Sequence, residues 1–476
     1  MTPYYITTTL PYVNAKPHIG FALEIIQADV LARYYRSQGM EVVFNTGTDE
    51  HGQKIYEKAV EEGKAPKVYV DEYAAKFDAL KEILNLSYTN FIQTSDPAHE
   101  AAAQEFWKRC NAKGDIEKRQ YQVKYCVGCE LEKTDSELVD AHCPVHPNLE
   151  IQFIDEENYF FKFSNYQEAL LKLYAERPDF VMPEHRLKEI RTFVEAGLND
   201  FSISRVAEKM PWGVPVPGDE TQVMYVWFDA LVNYISTLGW PDMNSSFKDY
   251  WPGIQVAGKD NLRQQSAMWQ AMLMSADIEP SKQIFIHGFI TSGGQKMSKS
   301  LGNVVDPFEL VTEFGTDALR YYLLREISSH EDGDYSPQRM EERYAELANR
   351  LGNLVSRVAA MSLKYFEGKL DAVSLDWVAR EQTLASAIQH YDFKAYIEEV
   401  FAVVDDANEE VDKKAPFKLV KTDEAGAKAV LSTIAEKIRF IGRALAPVLP
   451  QTSEEILKRY GTIIEMGEGL FPRRDV

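Results

Sequence analysis

Two lysines three residues apart, Lys296 and Lys299, stand in Gly293-Gly294-Gln295-Lys296-Met297-Ser298-Lys299-Ser300, shortly after the apolar run Ile284-Phe285-Ile286-His287-Gly288. A lysine is a point charge on a flexible stem and suits phosphate. The two glycines upstream suit a mobile loop. A second set of residues lies near the start of the chain. There Pro17-His18-Ile19-Gly20 follows the β-rich run Tyr4-Tyr5-Ile6-Thr7-Thr8 and precedes a helical pattern. Gly20 lets the backbone approach a ligand closely. The helix that follows offers free N–H groups and a positive dipole end. His18 adds a side-chain donor where phosphate charge would develop. Such parts suit phosphate-transfer chemistry without a covalent nucleophile, in which positioning and charge stabilisation carry the rate. Taken singly, His18 reads as a helix cap and Lys296–Ser300 as a solvated turn. Both sets following predicted strands favours the shared reading.

A third set is metallic in spacing. Cys126-Val127-Gly128-Cys129 precedes Cys143-Pro144-Val145-His146 by thirteen intervening residues. The pattern C-x2-C-x13-C-x2-H fits a closed tetrahedral zinc site with three thiolates and one imidazole. His142 is an alternative fourth ligand, with the spacing favouring His146. The surrounding segment is short and rich in turns, so a bound metal would supply stability that a small core cannot. Cys110 falls on a helical pattern and reads as a small core residue.

The elements that must position these residues alternate between strand and helix over residues 4–115. Residues 21–38 are expected to be helical, with Gly39 as stop signal, and 41–45 to form a short buried strand. Such alternation predicts an α/β, doubly wound parallel sheet of Rossmann type, which binds ligands at the carboxyl ends of its strands. The pattern breaks into short strands and turns over 116–165, around the cysteines, and returns through 166–305. Residues 306–336 are expected to be connecting helices, beginning at Asp306-Pro307 with Asp as N-cap. From 337 to 476 only helical periodicity remains, with helices expected over 345–364, 377–390, 393–414, 425–446 and 452–460. That reads as an antiparallel bundle.

The 476 residues have room for roughly three domains. An apolar fraction of 45% and a charged fraction of 26% are those of an ordinary globular protein. No basic start joins an apolar run, and no apolar stretch approaches ~20 residues, so neither a signal peptide nor a membrane span is expected. With only four cysteines, three of them clustered, a reducing, cytoplasmic setting is expected. A net charge of −21 argues against general nucleic-acid binding. An RNA partner would need local basic surface, and the candidates are Lys296 and Lys299, Arg343 to Arg357, and Lys413 to Lys421.

With Leu10-Pro11-Tyr12-Val13-Asn14, Gly47-Thr48-Asp49-Glu50-His51-Gly52, Tyr225-Val226-Trp227-Phe228-Asp229-Ala230 and Gly258-Lys259-Asp260 added to the two phosphate motifs, the chain resembles the class I aminoacyl-tRNA synthetases, and among them the methionyl-tRNA synthetases. The resemblance spans nearly the whole chain. It implies a zinc knuckle inserted in the catalytic domain and an anticodon-binding helical bundle. The implied substrates are ATP (with Mg2+ as its charge partner), methionine and tRNA(Met), and a monomer is expected.

The resemblance carries catalysis onto His18, Gly20, Lys296 and Lys299, and ATP binding onto these together with Gly258, Asp260 and Ser298. It carries the methionine side chain onto Leu10, Tyr12, Trp227, Ala230 and Tyr234, with Asn261 and Gln265 nearby, and the ammonium group onto Asp49. It carries anticodon contact onto Asn353, Arg357 and Phe417. Asn353 and Arg357 lie one helical turn apart and can both read unstacked bases. Without the resemblance they read as an ordinary helix face.

The chain departs from the family's usual pattern at five positions. Phe21 replaces the second histidine of the first motif. Asn261 and Gln265 stand where an aliphatic residue and a histidine are usual. His146 stands where a fourth cysteine is common, and Phe417 replaces a tryptophan. Two rival readings are a class I synthetase for another apolar amino acid and a non-catalytic tRNA-binding paralogue. The interval between the two phosphate motifs is short for the editing insertion that the first would carry, and the intact lysine motif argues against the second.

Overall fold

The computed structural model describes residues 2–129, 131–133, 135–297 and 302–472; Ser298, Lys299 and Ser300 lie outside them. The chain divides into two compact units, neither continuous in sequence: residues 1–16, 41–79 and 88–286 form one, and 17–40, 80–87 and 287–476 the other.

The first unit is built on a six-stranded sheet in the order Asn90–Gln93, Glu41–Thr48, Pro3–Thr8, Ile254–Gly258, Gln283–His287, Val181–Met182. Pro3–Thr8 runs parallel to both of its neighbours, with Ile6 opposite Phe44 on one side and Ile254 on the other. Its residues Tyr4 to Thr8 are all buried, as expected of a central strand covered on both faces. Here the strand order reverses, so the loops after Pro3–Thr8 and Ile254–Gly258 flank the crevice in which such sheets bind ligands. Helix Pro97–Ala112 packs on the sheet's core. Its Phe106 stacks on Trp269 at 5.5 Å and meets Phe228 and Trp240 edge-on at 5.8 Å.

The inserted segment is more regular than the short strands expected of it. Ile116–Cys126 and Gln152–Phe161 form a long antiparallel ribbon, paired from Ile116–Phe161 to Tyr125–Gln152. In sequence only Tyr121, Val123 and Tyr125 alternate with polar residues, and the charged run Glu117-Lys118-Arg119 before them hides the full length of the strand.

The second unit begins with helix Ile19–Ser37, capped by His18 and buried continuously from Ala22 to Ala32. The expected bundle helices are present as Val378–Gln389, Phe393–Lys414, Glu424–Leu445 and Pro450–Arg459. The helix expected over 345–364 is interrupted by a π turn at Leu347–Gly352 before Asn353–Phe366. Asp306 caps Pro307–Phe314 by accepting from the Phe308 N–H at 2.8 Å, as its position before proline predicts. Among the described residues no helix is long and apolar enough to cross a membrane.

One buried ion pair organises this unit. Arg320 and Asp29 are both fully buried and meet at 2.8 Å. Arg320 also donates to the carbonyls of Leu84, Pro447 and Val448 at 2.9–3.0 Å. Asp29 accepts from Arg33 and from the backbone and hydroxyl of Ser87. Burial opposes the charge on Asp29, and Arg320, Arg33 and Ser87 outweigh it, so the carboxyl titrates below its ordinary range. The stability it contributes is present above the ordinary aspartate range and is lost as pH falls through the depressed value. Removing one partner of such a pair leaves a buried, uncompensated charge. Arg320→Ala is expected to destabilise the protein by about 3–5 kcal/mol, read in urea unfolding monitored by far-UV circular dichroism. A loss below about 1 kcal/mol would show that water replaces the guanidinium without penalty.

Candidate active site and metal centre

The first phosphate motif sits in the second unit. The His18 Nδ1 accepts from the Gly20 N–H at 3.0 Å, so the imidazole is the N-cap of the helix that follows. With Nδ1 accepting, a neutral ring carries its proton on Nε2. Burial and the nearby Lys296 charge both push the His18 pKa below its ordinary value, which favours that neutral form. The expected donor and the plainer helix cap are therefore one arrangement. Gly20 is required by the ring itself: a Cβ there would lie 2.8 Å from His18 Cε1. The Ile19 N–H donates to the Val305 carbonyl at 3.1 Å, tying the start of the helix to the segment beyond the lysine motif.

Gly293 and Gly294 do more than lend mobility. Both have positive φ, at 64° and 71°, and form the turn between Ile290–Ser292 and Gln295–Lys296. Asp334 holds that turn, accepting from the Gly294 N–H at 2.9 Å and the Thr291 hydroxyl at 2.6 Å. Lys296 is exposed, with its ammonium 5.1 Å from the Phe289 ring centre. The assignments to Ser298 and Lys299 fall outside the described residues. Sequence reasoning did not single out Glu24, whose carboxylate meets His287 Nε2 at 3.0 Å while His287 Nδ1 faces the Gly288 carbonyl at 2.7 Å.

The residues expected to meet the amino acid lie in the first unit, beyond the carboxyl end of the central strand. Leu10 and Tyr12 follow that strand, and Tyr12 bridges Asp49 just past Glu41–Thr48. The Asp49 backbone is held both ways, donating to Pro11 and accepting from Val13 at 3.0 and 3.3 Å. Its side chain is buried. Tyr12 meets Trp227 edge-on at 6.3 Å. Trp227 and Ala230 share the short helix Val226–Ala230, and Tyr234 follows one turn later. The structure thus gathers the aromatic wall and the carboxylate that were assigned to one ligand. Gly258 ends its strand buried, while Asp260 is exposed on the 3-10 turn Lys259–Asn261.

The two departures part company. Asn261 donates to Asp260 at 3.4 Å. Gln265 is buried in a π turn, Gln264–Met268, and its amide donates to the Tyr234 hydroxyl at 2.7 Å. Asn261 and Gln265 do not hydrogen-bond to one another, and 3-10 and π turns stand between them in place of a regular helix. Tyr234 satisfies the Gln265 donor instead, while Gln265 Oε1 is buried without a hydrogen-bond partner.

Sequence reasoning also missed a charged cluster behind this pocket. His51 Nδ1 lies 3.0 Å from Asp229 Oδ2, and His99 Nε2 lies 3.7 Å from Asp229 Oδ1, with all three side chains buried. Both motifs that carry His51 and Asp229 were visible, but nothing in a linear sequence pairs them.

The four residues expected to bind metal meet at the tip of the ribbon. The donor atoms of Cys126, Cys129, Cys143 and His146 all lie within 4.8 Å of one another. Cys129 Sγ is 3.5 Å from Cys143 Sγ and 3.2 Å from His146 Nδ1. Those separations suit a tetrahedral ion with sulfur and imidazole ligands. His142 is excluded: it is exposed and turns its Nδ1 to the Asp140 carbonyl at 2.7 Å. Gly128 makes room for the imidazole, since a Cβ there would lie 2.5 Å from the His146 ring. Burial raises the pKa of the Cys143 thiol, and N–H groups of Val145 and His146 outweigh it, leaving the sulfur disposed to ionise.

In the second unit, Asn353 is exposed at the start of its helix, Arg357 pairs with Asp412 at 2.9 Å, and Phe417 is 40% exposed. Asp412 lies near the end of Phe393–Lys414, which runs into the short helix Pro416–Leu419 carrying Phe417. Much of the expected basic surface here is matched by carboxylates: Arg343 and Arg350 by Glu346, Arg350 also by Asp405, Lys413 by Glu409, and Lys414 by Glu410.

The family model for class I tRNA synthetases (M) matches residues 4–152 and 132–359. The methionine–tRNA ligase of Thermosynechococcus vestitus is 44% identical over 492 aligned residues, spanning 99% of this chain and 93% of that relative. That of Brucella suis is 42% identical over 469, spanning 95% and 91%. The chain belongs to the methionyl-tRNA synthetase family. A solved structure of a family member, the Mycobacterium tuberculosis methionyl-tRNA synthetase in complex with methionyl-adenylate, superposes with a TM-score of 0.94 at 36% identity, covering 99% of this chain and 100% of that one.

Gln265, buried against the Tyr234 hydroxyl, stands where methionyl-tRNA synthetases usually have a histidine. Gln265→His is expected to raise the ratio of kcat/KM for methionine over methionine sulfoxide and homocysteine, measured by ATP–pyrophosphate exchange. An unmoved ratio would place residue 265 outside the specificity-determining wall.

Proposed function

We propose that this methionine–tRNA ligase divides its work among the residues described above. The enzyme activates L-methionine with ATP and charges tRNA. In the first step the methionine carboxylate attacks the α-phosphorus, forming methionyl-adenylate and releasing pyrophosphate. In the second, the terminal adenosine hydroxyl of tRNA(Met) attacks the activated carbonyl and AMP leaves.

Asp49 binds the ammonium group, and Leu10, Tyr12, Trp227, Ala230, Tyr234 and Gln265 enclose the thioether side chain, with Asn261 at its edge. Gly258 and Asp260 bind the nucleoside. His18, neutral with Nε2–H outward, donates to phosphate, and Gly20 keeps its ring in place. Lys296, Ser298 and Lys299 bind the triphosphate, with the lysines neutralising charge that develops on the leaving pyrophosphate. Mg2+ accompanies ATP as its charge partner. Cys126, Cys129, Cys143 and His146 hold a structural zinc that fastens the tip of the ribbon. Asn353, Arg357 and Phe417, in the bundle of residues 337–476, contact the anticodon, with Phe417 as the stacking ring. Arg357 exchanges Asp412 for RNA when it does so.

The observation that carries this reading is the seating of Asp49 against Tyr12, with Trp227 edge-on to that ring: one carboxylate at the rim of an aromatic wall, as an apolar amino acid requires. Exchange of pyrophosphate into ATP should depend on methionine among the twenty amino acids. Lys299→Ala should lower kcat for that exchange by roughly 100-fold with methionine KM little changed, the pattern of an interaction made mainly in the transition state. Unchanged turnover would remove Lys299 from the catalytic account. Protein purified without added metal should contain one zinc per chain by elemental analysis, and a metal-free, fully active preparation would remove zinc from it.

A further inference from the structure

The cluster behind the amino-acid pocket has a role that none of the site assignments covers. His51 lies two residues beyond Asp49, in a loop whose backbone is held by Pro11, Val13 and Thr94. Asp229 lies between Trp227 and Ala230 on Val226–Ala230. The 3.0 Å contact between them joins the loop bearing the carboxylate to the helix bearing the apolar wall. His51 is 1% exposed and Asp229 not at all, so neither charge is screened by water. Trp212 closes the cluster, with its ring 5.4 Å edge-on to His51 and its Nε1 donating to the Glu50 carbonyl at 2.5 Å.

We propose that His51 and Asp229 are positioning residues for methionine: the charged pair sets the distance between Asp49 and the Trp227–Ala230 wall, and so acts on methionine binding and not on ATP binding. The inference rests on the methionine-ligase reading of the pocket. An unpaired Asp229 would be a buried anion directly behind the wall, and the helix would shift to hydrate it. A second carboxylate left bare there would also compete with Asp49 for the ammonium group. Protonated His51 removes both problems.

The groups around His51 favour that charge. Asp229 faces it from one helix; Glu100, 3.9 Å from Nε2, and His99 face it from Pro97–Ala112; and Glu50 precedes it in the loop. Lys67, on Pro66–Asp78, acts on Glu50 and Glu100 and offsets part of their field. Burial opposes the charge on His51, and Asp229, Glu100 and Glu50 outweigh it, so the imidazole titrates above its ordinary value. The imidazole therefore keeps its proton to a higher pH than an ordinary histidine does, and the charged pair dissolves as pH rises through the raised value.

The test uses the full chain in ATP–pyrophosphate exchange. Asp229→Asn keeps the shape and removes the charge. Its KM for methionine should rise by about tenfold or more, while its KM for ATP stays within about twofold. His51→Gln keeps a hydrogen-bond donor without a titrating charge. Because the amine of methionine titrates too, the quantity read is the ratio of His51→Gln to wild-type KM for methionine at each pH. That ratio should be large near about pH 6.5 and fall towards one as wild-type His51 deprotonates. A pH-independent ratio, an unchanged methionine KM, or equal rises in both KM values would overturn the proposal. If Asp229→Asn does not yield folded protein, the His51→Gln profile decides alone. Wild-type exchange with methionine tests the ligase reading separately from these variant ratios.

Discussion

The parallel pairing of Pro3–Thr8 with Ile254–Gly258 is the constraint on which the first unit depends. The two strands come from opposite ends of that unit's sequence, so closing them is a long-range event with a large entropic cost. Once closed, it creates the point where strand order reverses, and the loop bearing Leu10 and Tyr12 and the turn bearing Lys259 to Asn261 flank one crevice. The aromatic cluster of Phe106, Phe228, Trp240 and Trp269 supplies apolar burial to offset that cost. The cluster extends to Tyr234, which Trp269 meets edge-on at 5.9 Å and which accepts from the Gln265 amide.

Buried charge recurs in both units with the same logic. Asp29–Arg320 in one and Asp229–His51 in the other are carboxylates stripped of water and matched by a cation and further donors. Such pairs contribute little net stability compared with apolar replacements, but breaking either one is expensive. They therefore act as specifying contacts: a helix displaced by an ångström would expose the mismatch. Arg320 ties three carbonyls from two distant segments to helix Ile19–Ser37, the helix that His18 caps.

The inserted ribbon solves a different problem. The two long strands carry charged residues on both faces, and among the described residues the buried apolar side chains lie at their two ends, Ile116, Phe160 and Phe161 at one and Tyr125 and Cys126 at the other. Cys126, Cys129, Cys143 and His146 gather there, close enough to share one metal ion, and Gly128 leaves room for the imidazole of the set. The knuckle is legible in a sequence because its ligands are local, within about twenty residues.

That locality marks the boundary between what the residues alone determined and what the tertiary structure decided. The sequence by itself established the family, the alternation of strand and helix, the bundle helices nearly to their ends, and three sets of chemically equipped residues. Each is written in short-range pattern: periodicity, caps such as Asp306, or fixed spacing such as that of the cysteines. Only the folded chain showed that His146 and not His142 lies with the three thiols, because that depends on which ring turns inward. Only the folded chain showed that Gln265 pairs with Tyr234, because the two residues lie on different elements and Gln265 sits in a π turn that no spacing announces. The same holds for His51 with Asp229 and for Asp29 with Arg320. Their partners lie far apart in sequence, and burial turns a pair of ordinary polar residues into a constraint on the site.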